Sequence, residues 1–167
     1  METHLLEKVL YKEKRNILIT GGLGFIGSHL ARKYVQNNDN VYLLSRSYTK
    51  KSNISGIEDK VNLIIKDVRE IGETEVTDKD GIFHLAGTVD NYAIKEGEPY
   101  RDIEINCDGT IALLEACRKF NPRARIIFAS TFFVNGNVNK LPVDANSPCN
   151  PLGLYGATRL AAEHFCH

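Results

Sequence analysis

Hydrophobic residues along this chain fall into two alternating patterns. Short continuous apolar runs occupy residues 16–20, 41–44, 61–65, 81–85 and 125–129, bounded by polar or turn-forming residues. Runs of that length between turn signals predict buried strands. Between several of them, apolar residues recur at helical spacing. Ile26, Leu30 and Tyr34 predict a helix over residues 24–36, closed by the turn Asn37–Asn40. Ile103, Cys107, Ile111, Leu114 and Cys117 predict the longest helix, within residues 99–120 and stopped by Asn121-Pro122. A last helix starts near Leu154 and runs to the chain end. The polar stretches 45–59 and 69–80 predict loops with at most a short helical turn, and 135–153, rich in Asn, Gly and Pro, a longer loop.

Strands of Ile, Val, Leu and Phe that are apolar on both faces belong in a parallel sheet covered by helices. Right-handed crossovers then give an α/β, Rossmann-type doubly wound sheet with strand order 3-2-1-4-5. Residues 1–15 precede it as an extension, where Leu5, Leu6, Val9 and Leu10 fit either a short amphipathic helix or loose chain. Residues 16–167 form one domain.

Composition narrows the function classes. The 167 residues carry 21 Lys+Arg against 21 Asp+Glu, so no global field recruits nucleic acid or an anionic membrane. No apolar stretch approaches a membrane span, and the charged N-terminus lacks a secretory core. Cys107, Cys117, Cys149 and Cys166 are widely spaced and form no C-x-x-C pair, which points to reduced thiols and a cytoplasmic protein, with no metal site.

In a sheet of this kind ligands bind beyond the C-terminal strand ends, so the residues there carry the candidate chemistry. After the first strand come Gly21, Gly22, Gly24 and Gly27, leading into Phe25 and Ile26 at the start of a helix. Strand, glycine turn and helix N-terminus in succession bring backbone N–H groups close to a phosphate. A glycine pattern alone is weak; this context makes it a dinucleotide signal. After the second strand stands Ser45, where an NAD site usually has an acidic residue for the ribose, followed by Arg46. A hydroxyl and a guanidinium suit a 2′-phosphate better, so NAD(P) is expected with NADP(H) slightly favoured. The plainer reading of Arg46 is a solvated loop residue. After the third strand Asp67 and Val68 suit an adenine ring, though Asp67 fits a helix cap equally well. After the fourth come His84 and then Leu85, Ala86 and Gly87, small enough for close approach. His84 is expected to be a packed, hydrogen-bonded imidazole. After the fifth, Ser130 and Thr131 offer hydroxyls to a carbonyl or to a turn cap. Tyr155 and Arg159 lie four apart at the start of the last helix, hence on one face. A cation beside a phenol lowers its pKa and suits it to acid/base work, although an inert surface pair has the same spacing.

Together these pieces resemble the extended short-chain dehydrogenase/reductase family, the NAD(P)-dependent nucleotide-sugar epimerases and dehydratases. Thr20-Gly21-Gly22-Leu23-Gly24-Phe25-Ile26-Gly27 looks like its T-G-x-x-G-F-I-G turn, Asp67-Val68 its adenine pair, and His84-Leu85-Ala86-Gly87 its H-x-A-A/G segment. Asn106, Gly109-Thr110 and Leu113-Leu114-Glu115-Ala116 resemble N-x-x-G-T-x-x-L-L-E-A, and Ser130–Gly136 resembles S-S/T-x-x-V-Y-G. The resemblance implies catalytic Thr131, Tyr155 and Arg159, with Asn106, Tyr155 and Arg159 also at the cofactor, and a nucleotide-sugar substrate. It also implies dimerisation through the helices at 99–120 and 154–166, with Ala161, Ala162 and Phe165 as candidate apolar contacts. Arg159 departs from the family lysine of Y-x-x-x-K, and Asn135 from the tyrosine of V-Y-G. The chain stops before the family's sixth strand and sugar pocket, so a truncated form is expected. The alternative is a non-catalytic NAD(P)-binding module.

Overall fold

The computed structural model describes residues 14–88, 100–138 and 140–167. Leu5, Leu6, Val9 and Leu10 of the extension, read as a short amphipathic helix or loose chain, lie outside them. A five-stranded parallel sheet has the order β3-β2-β1-β4-β5, as expected from the strand pattern. Its strands are β1 (Asn16–Thr20), β2 (Asn40–Ser45), β3 (Val61–Ile65), β4 (Gly81–His84) and β5 (Arg125–Phe128). Helices α1 (Phe25–Gln36), α2 (Glu73–Val76), α3 (Gly109–Phe120) and α4 (Leu154–Phe165) supply the crossovers and cover.

The period of two along the strands divides the core into layers. Leu18, Leu44 and Ile82 face one way and pack with Val68, Ile71, Val76, Ile105, Leu113, Ala116 and Cys117. Ile17, Ile19, Val41 and Leu43 face the other, with Leu23, Ala31, Ile54 and Ile57. Central β1 is therefore apolar on both faces, as read from its sequence. The outer strand β5 is not: Arg125 and Ile127 are exposed, because an edge strand has fewer neighbours to cover it.

The helices correct the sequence reading more sharply. Of the predicted stripe Ile103, Cys107, Ile111, Leu114 and Cys117, the last is buried in the core, but Ile103 and Ile111 remain 40% and 43% exposed. The buried face of α3 and the turn before it is Ile105, Asn106, Gly109, Thr110, Leu113, Ala116 and Cys117. Residues Ile103–Asp108 form a π-helical turn, whose wider repeat rotates the stripe. Small residues then let the helix approach: a Cβ on Gly109 would stand 2.6 Å from Val68 Cγ1. On α1 the fully buried residues are Gly27, Ser28 and Ala31; of the predicted stripe, Leu30 and Tyr34 pack against the core from partly buried positions, while Ile26 is 58% exposed. Ala162 is buried within the chain rather than offered to a partner. Among the described residues, no helix is long and apolar enough to cross a membrane.

Candidate functional site

The turn after β1 is shaped by its glycines. Gly21 takes φ +67°, a region L-residues rarely occupy, and a Cβ there would lie 3.0 Å from the Ala86 nitrogen and the Leu85 carbonyl. Gly24 N–H donates to Gly21 O at 2.8 Å, and Gly24 caps α1. A Cβ on Gly27 would stand 2.5 Å from Gly21 O, so helix and turn touch backbone to backbone. The first N–H groups of α1 have no acceptor within the helix, and the helix dipole adds partial positive charge there.

A cleft of about 350 Å³ opens over this turn along the C-terminal ends of β1, β2 and β3. It brings together Gly21, Gly24, Ser45, Arg46, Asp67, Val68, Leu85, Ala86 and Gly87, all expected from sequence to bind cofactor. An adjoining recess of about 290 Å³ shares Gly21, Gly24, Leu85 and Gly87 and adds Phe25, Ile26, Gly27, Tyr155 and Arg159. Asn106 and Thr131 line neither hollow. Asn106 is fully buried; its Oδ1 accepts from Thr88 N–H and its Nδ2 donates to Thr158 Oγ1, each at 3.1 Å. Thr131 Oγ1 accepts from Phe133 N–H at 3.3 Å and caps a 3-10 turn, while its neighbour Ser130 lines the recess with Tyr155.

Three polar groups on the cleft wall already have partners. Ser45 Oγ donates to Ser47 O at 3.1 Å. Asp67 caps the turn Val68–Glu70 and accepts two bonds from the Arg69 guanidinium, each 3.0 Å. That guanidinium holds the Asp67 carboxyl below the usual carboxylate range. Lys66, on the same wall, donates to Glu75 at 2.9 Å.

Arg159 is only 4% exposed. Its Nη2 donates to Ala129 O, its Nη1 to Ala86 O at 3.4 Å, and its Cζ lies 4.4 Å over the Phe128 ring. Its Nε is buried without a hydrogen-bond partner. Burial pulls the guanidinium pKa below its ordinary value. The guanidinium thus bridges the exits of β4 and β5, a use that the four-residue spacing to Tyr155 did not reveal.

His84 is the packed imidazole expected: fully buried, with Nδ1 2.8 Å from Thr20 Oγ1 and Nε2 3.0 Å from Thr110 Oγ1. Burial, with the Arg159 charge near, draws its pKa down to about 3. Thr20, Thr88, Thr110 and Thr158 had been given no role from sequence. Thr20 stands at a strand end, and Thr110 and Thr158 lie one helical turn from Asn106 and Tyr155, which marks them in the sequence; Thr88 has no such mark.

The sequence model of the NAD dependent epimerase/dehydratase family matches residues 17–167. A Methanocaldococcus jannaschii protein provisionally named a UDP-glucose 4-epimerase is 38% identical over 151 residues, 89% of this chain and 49% of the relative. The D-erythronate dehydrogenase of Cupriavidus necator is 30% identical over 158 residues, 89% of this chain and 48% of the relative. A tyrosine-to-phenylalanine variant of UDP-glucuronic acid 4-epimerase from Bacillus cereus was solved with NAD and a fluorinated UDP-sugar acid. It superposes with a TM-score of 0.82 at 28% identity, covering 91% of this chain and 51% of that one. The chain spans about half the length of the relatives it matches. Parallel sheet, glycine turn and a match over nearly the whole described domain agree: the chain belongs to the NAD dependent epimerase/dehydratase family.

Proposed function

We propose that the cleft and its adjoining recess bind NAD(P) in one continuous groove, and that the domain serves hydride exchange at a sugar carbon of a nucleotide sugar. One observation carries the reading. The glycine turn and Tyr155–Arg159 line a single recess, so a diphosphate seat and an acid/base candidate sit at one end of the sheet. The fit is physical. At Gly21 and Gly27 a side chain would collide with backbone, and the close approach they permit is what a diphosphate requires.

When bound, the nicotinamide supplies the hydride acceptor and donor. Tyr155 exchanges a proton with the substrate hydroxyl. Thr131, the hydroxyl the resemblance implies for the same oxygen, caps its 3-10 turn outside both hollows, and its neighbour Ser130 lines the recess beside Tyr155. Asn106 holds the Gly87–Thr88 segment from behind through its bond to Thr88 N–H. Arg159 would keep positive charge in the recess beside Tyr155 while tying Ala86 to Ala129. Arg46, Lys50 and Lys66 lie around Ser45, a wall suited to a 2′-phosphate, which supports NADP(H) over NAD(H). The exposed Ile103, Ile111 and Phe165 support self-association through the outer helices, checked by sedimentation.

Comparative titration with NAD(H) and NADP(H) tests the cofactor reading. Arg46→Ala should weaken NADP(H) selectively; equal losses would remove the preference. In a full-length protein carrying this domain, Tyr155→Phe should retain cofactor binding and abolish turnover on a nucleotide-sugar panel, and unchanged turnover would remove its role. The engagement of Arg159 with two main-chain carbonyls favours a second reading, a non-catalytic NAD(P)-binding module. That reading predicts binding without turnover in the full-length protein that contains this chain.

A further inference from the structure

Four buried groups form a hydrogen-bond chain that admits one assignment of protons. Thr20, His84, Thr110 and Asn106 are each fully buried. Thr20 Oγ1 accepts from Leu85 N–H and Ala86 N–H, both at 3.1 Å, which uses its two lone pairs. Its own proton then goes to His84 Nδ1, 2.8 Å away. Nδ1 is therefore bare, and a neutral ring carries its hydrogen on Nε2, which donates to Thr110 Oγ1 at 3.0 Å. Thr110 passes its proton on to Asn106 O at 2.6 Å. The opposite tautomer would press three donors on Thr20 Oγ1 and leave a bare Nε2 facing a hydroxyl whose proton is already committed. In a site without water, each such mismatch is costly.

The consequence lies at the cleft. Leu85 and Ala86 carry the first amides beyond β4, and Thr20 gathers both at the end of β1. Gly21, the next residue, packs against that same Leu85–Ala86 backbone with room for no side chain. The gap between the glycine turn and the β4 exit is thus set by one hydroxyl, whose proton is directed by the imidazole. We propose that His84, locked as the neutral Nε2–H tautomer, is a positioning residue that fixes the width of the dinucleotide cleft through Thr20. The inference rests on the reading that this cleft holds a dinucleotide.

Two measurements on the 167-residue chain test it. NMR of the chain with ¹⁵N-labelled histidine, assigned by loss of the signal in His84→Asn, should show at neutral pH a hydrogen on Nε2 of His84 and none on Nδ1. A protonated Nδ1 overturns the proposal. Titration with NAD(H) then separates the two sides of the ring. His84→Asn keeps an acceptor where Nδ1 stands, and Thr20→Ser keeps the hydroxyl; both should bind within about twofold of the parent. His84→Gln keeps only the Thr110 side, and Thr20→Val loses the hydroxyl; both should bind about tenfold more weakly, the scale of one lost hydrogen bond. Equal losses for Asn and Gln, or losses that merely track melting temperature, overturn the positioning role. If the parent chain takes up neither NAD(H) nor NADP(H), the functional reading falls and with it the cleft-width role, while the tautomer is still judged by NMR alone.

Discussion

Replacing Gly27 with alanine tests the glycine cradle at its tightest point. The added Cβ would meet Gly21 O at 2.5 Å, Gly22 Cα at 2.8 Å and Gly22 C at 3.0 Å. The first distance is roughly 1 Å inside an optimal nonbonded separation. All three neighbours are backbone, so no side chain can swing aside; α1 and the turn must move apart by a comparable amount. Overpacking of this kind costs about 1–3 kcal/mol. For a domain of this size that lowers the melting temperature by about 2–12 °C. The same displacement misaims the N–H groups offered to the diphosphate, and losing one charge-assisted bond costs about 1.5–3 kcal/mol, or roughly 10–100-fold in Kd for NAD(H). Gly56→Ala separates backbone strain from collision. It has φ +84° and nothing within 4 Å, so it should cost about 1 kcal/mol and leave cofactor affinity unchanged. Thermal melts and calorimetric titration of the two variants decide the matter. A Gly27→Ala chain that melts and binds like the parent would show that this turn is not the close-packed phosphate seat.

The neutral, buried His84 makes stability depend on pH in a defined direction. Its folded pKa of about 3 lies below its unfolded value near 6.5, so between them the unfolded chain binds the extra proton and stability falls as pH falls. The slope is about 1.4 kcal/mol per pH unit, hence about 2 kcal/mol lost from pH 6.5 to pH 5; urea melts at pH 5, 6 and 7 should show it, and His84→Asn should lack it. Arg159→Lys keeps the charge but cannot span Ala86 O and Ala129 O together, and should cost about 1–3 kcal/mol in the same melts. An unchanged midpoint would mean that the guanidinium does not bridge the two strand exits. Asn106→Ala strands Thr88 N–H and removes the donor to Thr158 Oγ1, which keeps its own bond to Tyr155 O, and should cost about 1–3 kcal/mol; a loss below about 0.5 kcal/mol would contradict the bonding described.

Local chemistry carried much of this protein on its own. Continuous apolar runs bounded by turn residues located the strands, and the two-sided burial of β1 followed from having no polar face. The glycine spacing marked the phosphate-type turn because φ, close contact and helix entry are decided within a few residues. What the chain could not display was which helix faces meet the sheet. Hydrophobic periodicity found Leu30, Tyr34 and Cys117, which pack on the core, but also pointed to Ile26, Ile103 and Ile111, which are exposed, while Gly27, Ala31, Gly109 and Thr110 are buried in their place. Close helix–sheet approach selects for small size and hydrogen bonding there, which a hydrophobicity pattern does not register. The π-helical turn shifted the register further. The partners of Arg159, and the joining of Thr20, His84 and Thr110 from three separate elements, likewise arose only when parallel pairing set Thr20 opposite His84. Sequence spacing governs neighbours on one element; which donors and acceptors satisfy one another across elements is settled by strand order and burial, where every unpaired polar group carries a penalty.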